Sequence, residues 1–394
     1  MKQKLILFVS QPKYIYWIYM LVALVVTLQK FSRDSINNYK IFKYVFYNFR
    51  DGKNIYDLYP GLFDDCNHYG PFFSLIIAPF ALLPDGFGCV LWNLTNTAFL
   101  IFAINKLNFS ERKKAWLCWF LLQELITALM YTQFNVALIG LIILSCVYLK
   151  EKKFLAASTN LVTGLLVKIY GIVGLAFWPF LNGKDKLKHL FYLIIIFAVL
   201  FWLPSMIGGW DFNLLSYEHW QASLTEKNAG NQILGNAQDI SVMGVVRRIM
   251  QDASIPNLYF ILPGLCLFAL PYLRFSQYKH LAFRYLILAN VLLFLVLFST
   301  GSESPTYVIA VTGVGIWMCL QEKINQFNLF LLAFVMLITC FGMSDLFPKS
   351  FKQNYIQKYS LKAVPCILVW LKICFDLMSK DFAPKPNAKE LTYD

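Results

Sequence analysis

The chain has 394 residues, of which 58% are hydrophobic, 17% aromatic and only 14% charged. A water-soluble domain carries about 25% charged and roughly 45–50% apolar residues, so the composition argues against a soluble enzyme, a disordered chain or a coiled coil. It fits an all-α, polytopic integral membrane protein, in which about 12 spans of roughly 20 residues leave room for two sizeable loops. The net charge of +13 is carried by short Lys/Arg clusters between apolar runs, an orientation signal rather than a basic stripe, so no nucleic acid partner is expected. Of the nine cysteines only Cys66 falls outside an apolar stretch, which makes a disulfide framework improbable.

Lys2, Lys4 and Lys13 precede the first apolar run, residues 14–28, which reads as a retained anchor helix with a cytoplasmic N-terminus. Residues 29–86 then form a first extracytoplasmic loop. Within it, residues 36–49 alternate aromatics with Lys40 and Lys43 at helical spacing, predicting an interfacial helix. Residues 69–83, interrupted by Pro71 and Pro79 and followed by Pro84, predict a half-helix at the membrane edge. Residues 87–107 cross inward to a basic loop at 111–114. The next basic mark, at 150–153, requires a hairpin with its tip near residues 132–135.

A second hairpin must fit before the basic cluster at 184–188, and its arms are short. About 14 residues at 1.5 Å rise span roughly 20 Å, against roughly 30 Å of hydrocarbon. The tip near Lys168 and Gly171 is therefore expected below the outer surface, where broken helices line a cavity. Residues 190–208 lead out to a second extracytoplasmic loop, 209–255, with a short helix at 241–246 dipping to the interface. Spans follow at 258–273, 285–299, 305–320, 327–343 and 361–377, with a cytoplasmic tail at 380–394. The whole chain, 1–394, reads as one transmembrane domain without internal repeats.

On this topology Asp34, Gln133, Asn135, Lys168, Arg247, Arg248 and Glu303 fall at or just below the outer face. Ionisable groups near a membrane are costly and mark a site or a path. Their clustering on one side suggests an active site reached from outside and from the lipid. A transporter or lipid-linked-glycan flippase, the rival class, would place its charges at mid-depth; a non-catalytic glycan-assembly subunit is the third reading. Asp64 and Asp65 read as a polar turn, with a second acid site or a metal-ligand pair as the alternatives. His189, His219 and His280 are scattered over both sides, so no metal is expected. No phosphate-loop glycine motif is present, which disfavours direct use of a nucleotide, and no cofactor is expected.

Several short blocks share an order with a known family. They are Arg33-Asp34-Ser35-Ile36-Asn37-Asn38-Tyr39, Asp51-Gly52-Lys53-Asn54-Ile55-Tyr56, Asn67-His68-Tyr69-Gly70-Pro71, Trp92-Asn93 and Gln133-Phe134-Asn135. Further on come residues 164–168, residues 240–244 with Arg248, and Glu303-Ser304-Pro305-Thr306-Tyr307. From residue 31 to residue 317 the chain resembles glycosyltransferase family 87. The resemblance implies a C-type glycosyltransferase fold and an inverting transfer of a hexose, mannose first, from a polyprenyl-phosphate donor. The acceptor would be a hydroxyl of a glycan, glycolipid or protein on the extracytoplasmic side. It implies Asp34 as general base, Lys168, Arg248 and His68 at the donor phosphate, and Tyr39, Gln133, Asn135 and Glu303 at the substrate. Thr132 and Thr306-Tyr307 depart from the family's common residues at those places. Short loops and the lack of a eukaryotic retention signal suggest a bacterial inner membrane, with the active site facing the periplasm.

Overall fold

The computed structural model describes residues 10–383; Lys2, Lys4 and most of the tail at 380–394 lie outside them. Among the described residues every regular element is helical. In chain order the principal helices are α1 (Pro12–Ser32), α2 (Asn37–Arg50), α3 (Phe73–Ala81), α4 (Asp85–Lys106), α5 (Glu111–Met130), α6 (Asn135–Lys150) and α7 (Phe154–Val167). A 3-10 helix, Ile169–Phe180, precedes α8 (Gly183–Trp202), α9 (Trp210–Asn231), α10 (Val242–Met250) and α11 (Leu258–Ala269). The last four are α12 (Leu281–Leu297), α13 (Tyr307–Cys319), α14 (Gln326–Phe334) and α15 (Ala363–Ser379). By length and composition, Pro12–Ser32, Asp85–Lys106 and Gly183–Gly208 can each cross a membrane, and further apolar helices are 10–17 residues long.

The chain divides into two compact units. The first comprises residues 18–107 and 129–227. Its α2 is the helix expected at 36–49: Tyr39, Phe42, Val45, Phe46 and Phe49 recur on one buried face. Each such side chain contributes roughly 1.5–3 kcal/mol on burial. That face packs on α3, and the hydroxyls of Tyr39 and Tyr47 donate to the carbonyls of Phe80 and Ala81, at 2.9 and 3.1 Å. Helix α3 is only nine residues long and contains Pro79, as expected of a half-helix. Beyond it α6 packs on α4, α7 on α6, and α8 on α7.

The short-armed hairpin is present. Helix α7 ends at Val167, Lys168 is extended (φ −142°, ψ 119°), and the 3-10 segment returns against α7. Gly171 permits that return, since a Cβ there would overlap the backbone of Gly164 and Leu165. On α8 the large apolar residues Leu187, Phe191 and Ile194 are exposed, as on a surface meant for lipid rather than water.

The second unit comprises the described residues up to 17, 108–128 and 228 onward. Its core is α12, buried along nearly its whole length, packed on α13 and α15. Residues 209–255, expected as a polar loop, contain the 22-residue α9. Asp211, Glu218, Gln221, Glu226 and Lys227 are spread along it, so it has no apolar stripe for periodicity to reveal. Its Glu, Lys, Ala and Leu are nonetheless good helix formers.

Candidate active site

Within the first unit, hydrogen bonds join four of the segments singled out by sequence. At the C-terminus of α1, Ser35 N donates to Lys30 O and Asp34 N to Phe31 O, at 2.9 and 3.0 Å. This is the Schellman pattern, and it sets Asp34 at the left-handed position (φ 47°) that Asp tolerates better than most residues. The Asp34 side chain is 82% exposed, and Lys40 Nζ lies 2.9 Å from its Oδ1. One turn on, Asn37 Oδ1 accepts from Asp64 N, and Asn38 Nδ2 donates to Tyr131 O. The loop that carries Asp34 is thus tied both to the Asp64-Asp65 turn and to the turn before α6.

That second turn carries Gln133 and Asn135. Asn135 Nδ2 donates to Gln133 Oε1 at 2.6 Å, which aims its Oδ1 at Lys168 Nζ, 2.8 Å away. The ammonium also lies 4.8 Å from the ring centre of Tyr170 and 5.9 Å from that of Tyr69, within cation–π range. Gly70 N donates to Val167 O at 3.0 Å, and a Cβ at Gly70 would overlap Leu166 O. The Asn67–Pro71 block therefore lies against the last turn of α7, beside Lys168. Tyr69 OH accepts from Phe134 N at 3.1 Å and closes the set.

His68 is held from α9. Trp220 Nε1 donates to His68 O at 3.0 Å, and His68 Nδ1 is hydrogen-bonded to Ser223 Oγ at 3.1 Å. Burial pushes the imidazole down to about 4, helped by the Lys227 and Lys168 charges and opposed by Asp65. The ring is neutral at ordinary pH. Ser223, Trp220 and Lys227 were not singled out from sequence, because their helix was read as a loop. Tyr39 differs from its expected role at the substrate: its ring is fully buried and its hydroxyl serves Phe80 O, so it anchors α2 to α3.

In the second unit two loops are laced together. Asp239 N donates to Thr300 O and Ile240 N to Ser302 O, both at 2.9 Å, and Tyr307 OH donates to Ile240 O at 2.8 Å. Ser241 Oγ caps α10 by accepting from Gly244 N, and Arg247 Nη1 meets Asp239 Oδ2 at 2.8 Å. Arg248, expected at the phosphate, donates to three carbonyls, those of Asp239, Asn236 and Gln238, at 2.9, 2.8 and 2.7 Å. Any anion would share the guanidinium with them. Glu303 is half-buried and precedes the Ser304–Thr306 turn that leads into α13. Among the described residues no group of three or more His, Cys, Asp or Glu side chains is placed to hold a metal ion.

Apolar helices and polar groups at their breaks define the class, a helical membrane protein. Residues 67–300 match the model of glycosyltransferase family 87, and the chain belongs to that family of glycosyltransferases. No curated protein matches it. The matched stretch contains His68, Gln133, Asn135, Lys168 and Arg248, whereas Asp34, Tyr39 and Glu303 lie beyond its ends.

Proposed function

We propose that this glycosyltransferase moves a hexose, mannose first, from a polyprenyl-phosphate donor to an acceptor hydroxyl on the extracytoplasmic side, with inversion. The setting is a C-type fold in the bacterial inner membrane, of about 12 spans. The acceptor oxygen attacks the anomeric carbon as the bond from that carbon to the phosphate oxygen breaks. The hydroxyl proton passes to the Asp34 carboxylate, and polyprenyl phosphate leaves with the bonding electron pair. Lys168 holds the phosphate as a point charge, and electrostatic stabilisation of this kind is usually the largest single part of catalysis. Neutral His68 adds one hydrogen bond to it. Gln133 and Asn135 hold Lys168 and border the sugar, and Glu303 binds substrate. We assign Arg248 to the 236–241 loop, on the strength of its three carbonyls.

The observation that carries this reading is Lys168 itself, placed at the break between two short apolar helices and steered by Asn135. Purified protein incubated with labelled polyprenyl-phosphate sugars and a membrane lipid extract should release polyprenyl phosphate and label an acceptor. Lys168→Met should weaken donor binding tenfold or more, since a hydrogen bond to a charged group contributes about 1.5–3 kcal/mol. Nucleotide sugars used directly, or wild-type donor affinity in the variant, would overturn the assignment.

A further inference from the structure

One buried charged pair of the second unit has no part in the proposed transfer. Glu124 lies in the middle of the apolar α5 and is 0% exposed; the Lys362 side chain, just before α15, is 4% exposed. An ammonium has three protons to donate. Lys362 Nζ meets three acceptors: Glu124 Oε1 at 2.9 Å, Glu124 Oε2 at 3.0 Å and Ser304 Oγ at 2.9 Å. The Tyr307 ring centre lies 5.2 Å from the same nitrogen. Burying two charges among apolar helices is costly, and removing one partner alone is strongly destabilising. A hydrophobic pair would hold α5 to α15 without that cost, so the ions call for a reason other than packing.

The third acceptor supplies it. Ser304 directly follows Glu303, and the preceding residues Thr300 and Ser302 accept from the backbone of Asp239 and Ile240. The turn is thus held on one side by the 239–240 backbone and on the other by Lys362. We infer that Glu124 and Lys362 are positioning residues that fix the Ser304 turn and so present the Glu303 carboxylate to the acceptor in one place. Glu124 orients the ammonium, and the ammonium orients Ser304. The inference rests on the reading of Glu303 as a substrate-binding residue.

The test uses labelled polyprenyl-phosphate mannose as donor and octyl mannoside as acceptor probe, with kcat and acceptor KM measured separately. Ser304→Ala removes the hydroxyl locally. Glu124→Leu with Lys362→Met removes both charges together, which avoids an unpaired buried ion. Both variants should raise acceptor KM roughly tenfold, the loss expected for one hydrogen bond to a charged group. Glu303→Gln should do the same, Ser304→Thr should restore the wild-type value, and kcat should move less than KM throughout. Wild-type KM in Ser304→Ala beside a raised KM in Glu303→Gln overturns the positioning role and leaves Glu303 in place. Wild-type KM in Glu303→Gln removes the substrate role of Glu303 and this inference with it. The transfer reading fails separately, when the wild-type protein turns over no polyprenyl-phosphate sugar.

Discussion

Each unit has an ion pair with an N–O distance of 2.9 Å, but the two are buried to opposite degrees. Lys40 and Asp34 in the first unit are 28% and 82% exposed; Lys362 and Glu124 in the second are 4% and 0% exposed. An exposed pair is screened by water and contributes about 0–1 kcal/mol, so its members exchange partners freely. A buried pair is locked, because separating it leaves a charge without solvent. A carboxylate that must take a proton from a hydroxyl suits the first environment, and a carboxylate that must hold one geometry suits the second. On the proposed reading, the base Asp34 and the positioning residue Glu124 are both carboxylates and differ in burial.

The largest expected effect follows from the open pair. Asp34→Asn retains a residue that tolerates the left-handed position and removes the proton acceptor, so turnover should fall on the order of 10²–10⁴. Donor binding and melting temperature should stay near wild type, because the side chain is mostly solvent-exposed. A folded variant that retains its rate would show that Asp34 is not the base and would pass the role to Asp64 or Asp65. The closed pair should give the reverse pattern. Lys362→Met alone leaves Glu124 buried and unpaired and should cost about 3–5 kcal/mol of stability. Lys40→Met should cost no more than about 1 kcal/mol. Equal destabilisation of the two variants in a denaturant titration in detergent would erase the distinction.

The same contrast explains what was legible in the sequence. Helix α2, the half-helix α3 and the short-armed hairpin at Lys168 were legible because each writes a pattern along the chain: aromatic spacing, prolines, and basic marks too close together for two full spans. Helix α9 was not, since a helix with polar residues on every side leaves no periodic apolar trace. Lys168 could be picked out as a polar residue out of place and His68 through the family resemblance, but the serine and tryptophan that hold His68 are ordinary residues of that unread helix. Arg248 reads as a phosphate ligand in one dimension, whereas in three its donors go to carbonyls of its own loop. Glu124 did leave a signal, a carboxylate inside an apolar run. Its partner Lys362 lies far along the chain, and nothing in the sequence links the two.

The smallest expected effect sharpens the comparison between its two extremes, since His68 is half-buried and belongs to the first unit. Its imidazole is pushed from 6.5 to about 4, first by burial and then by the Lys227 and Lys168 charges. Between those values the unfolded chain takes up a proton that the folded chain refuses, so stability rises with pH across this window. The contribution is complete above pH 6.5 and is lost as pH falls through 4; it amounts to at most about 3 kcal/mol. His68→Gln should flatten that part of the stability profile. A bound phosphate would offset the two lysines and bring the imidazole back toward 6.5. Donor binding near pH 5 should then draw a proton from solution, measurable as a buffer-dependent heat by calorimetry, and His68→Gln should abolish it. Equal proton uptake in the two proteins would place the phosphate away from His68, and the neutral ring would then belong with the scaffold.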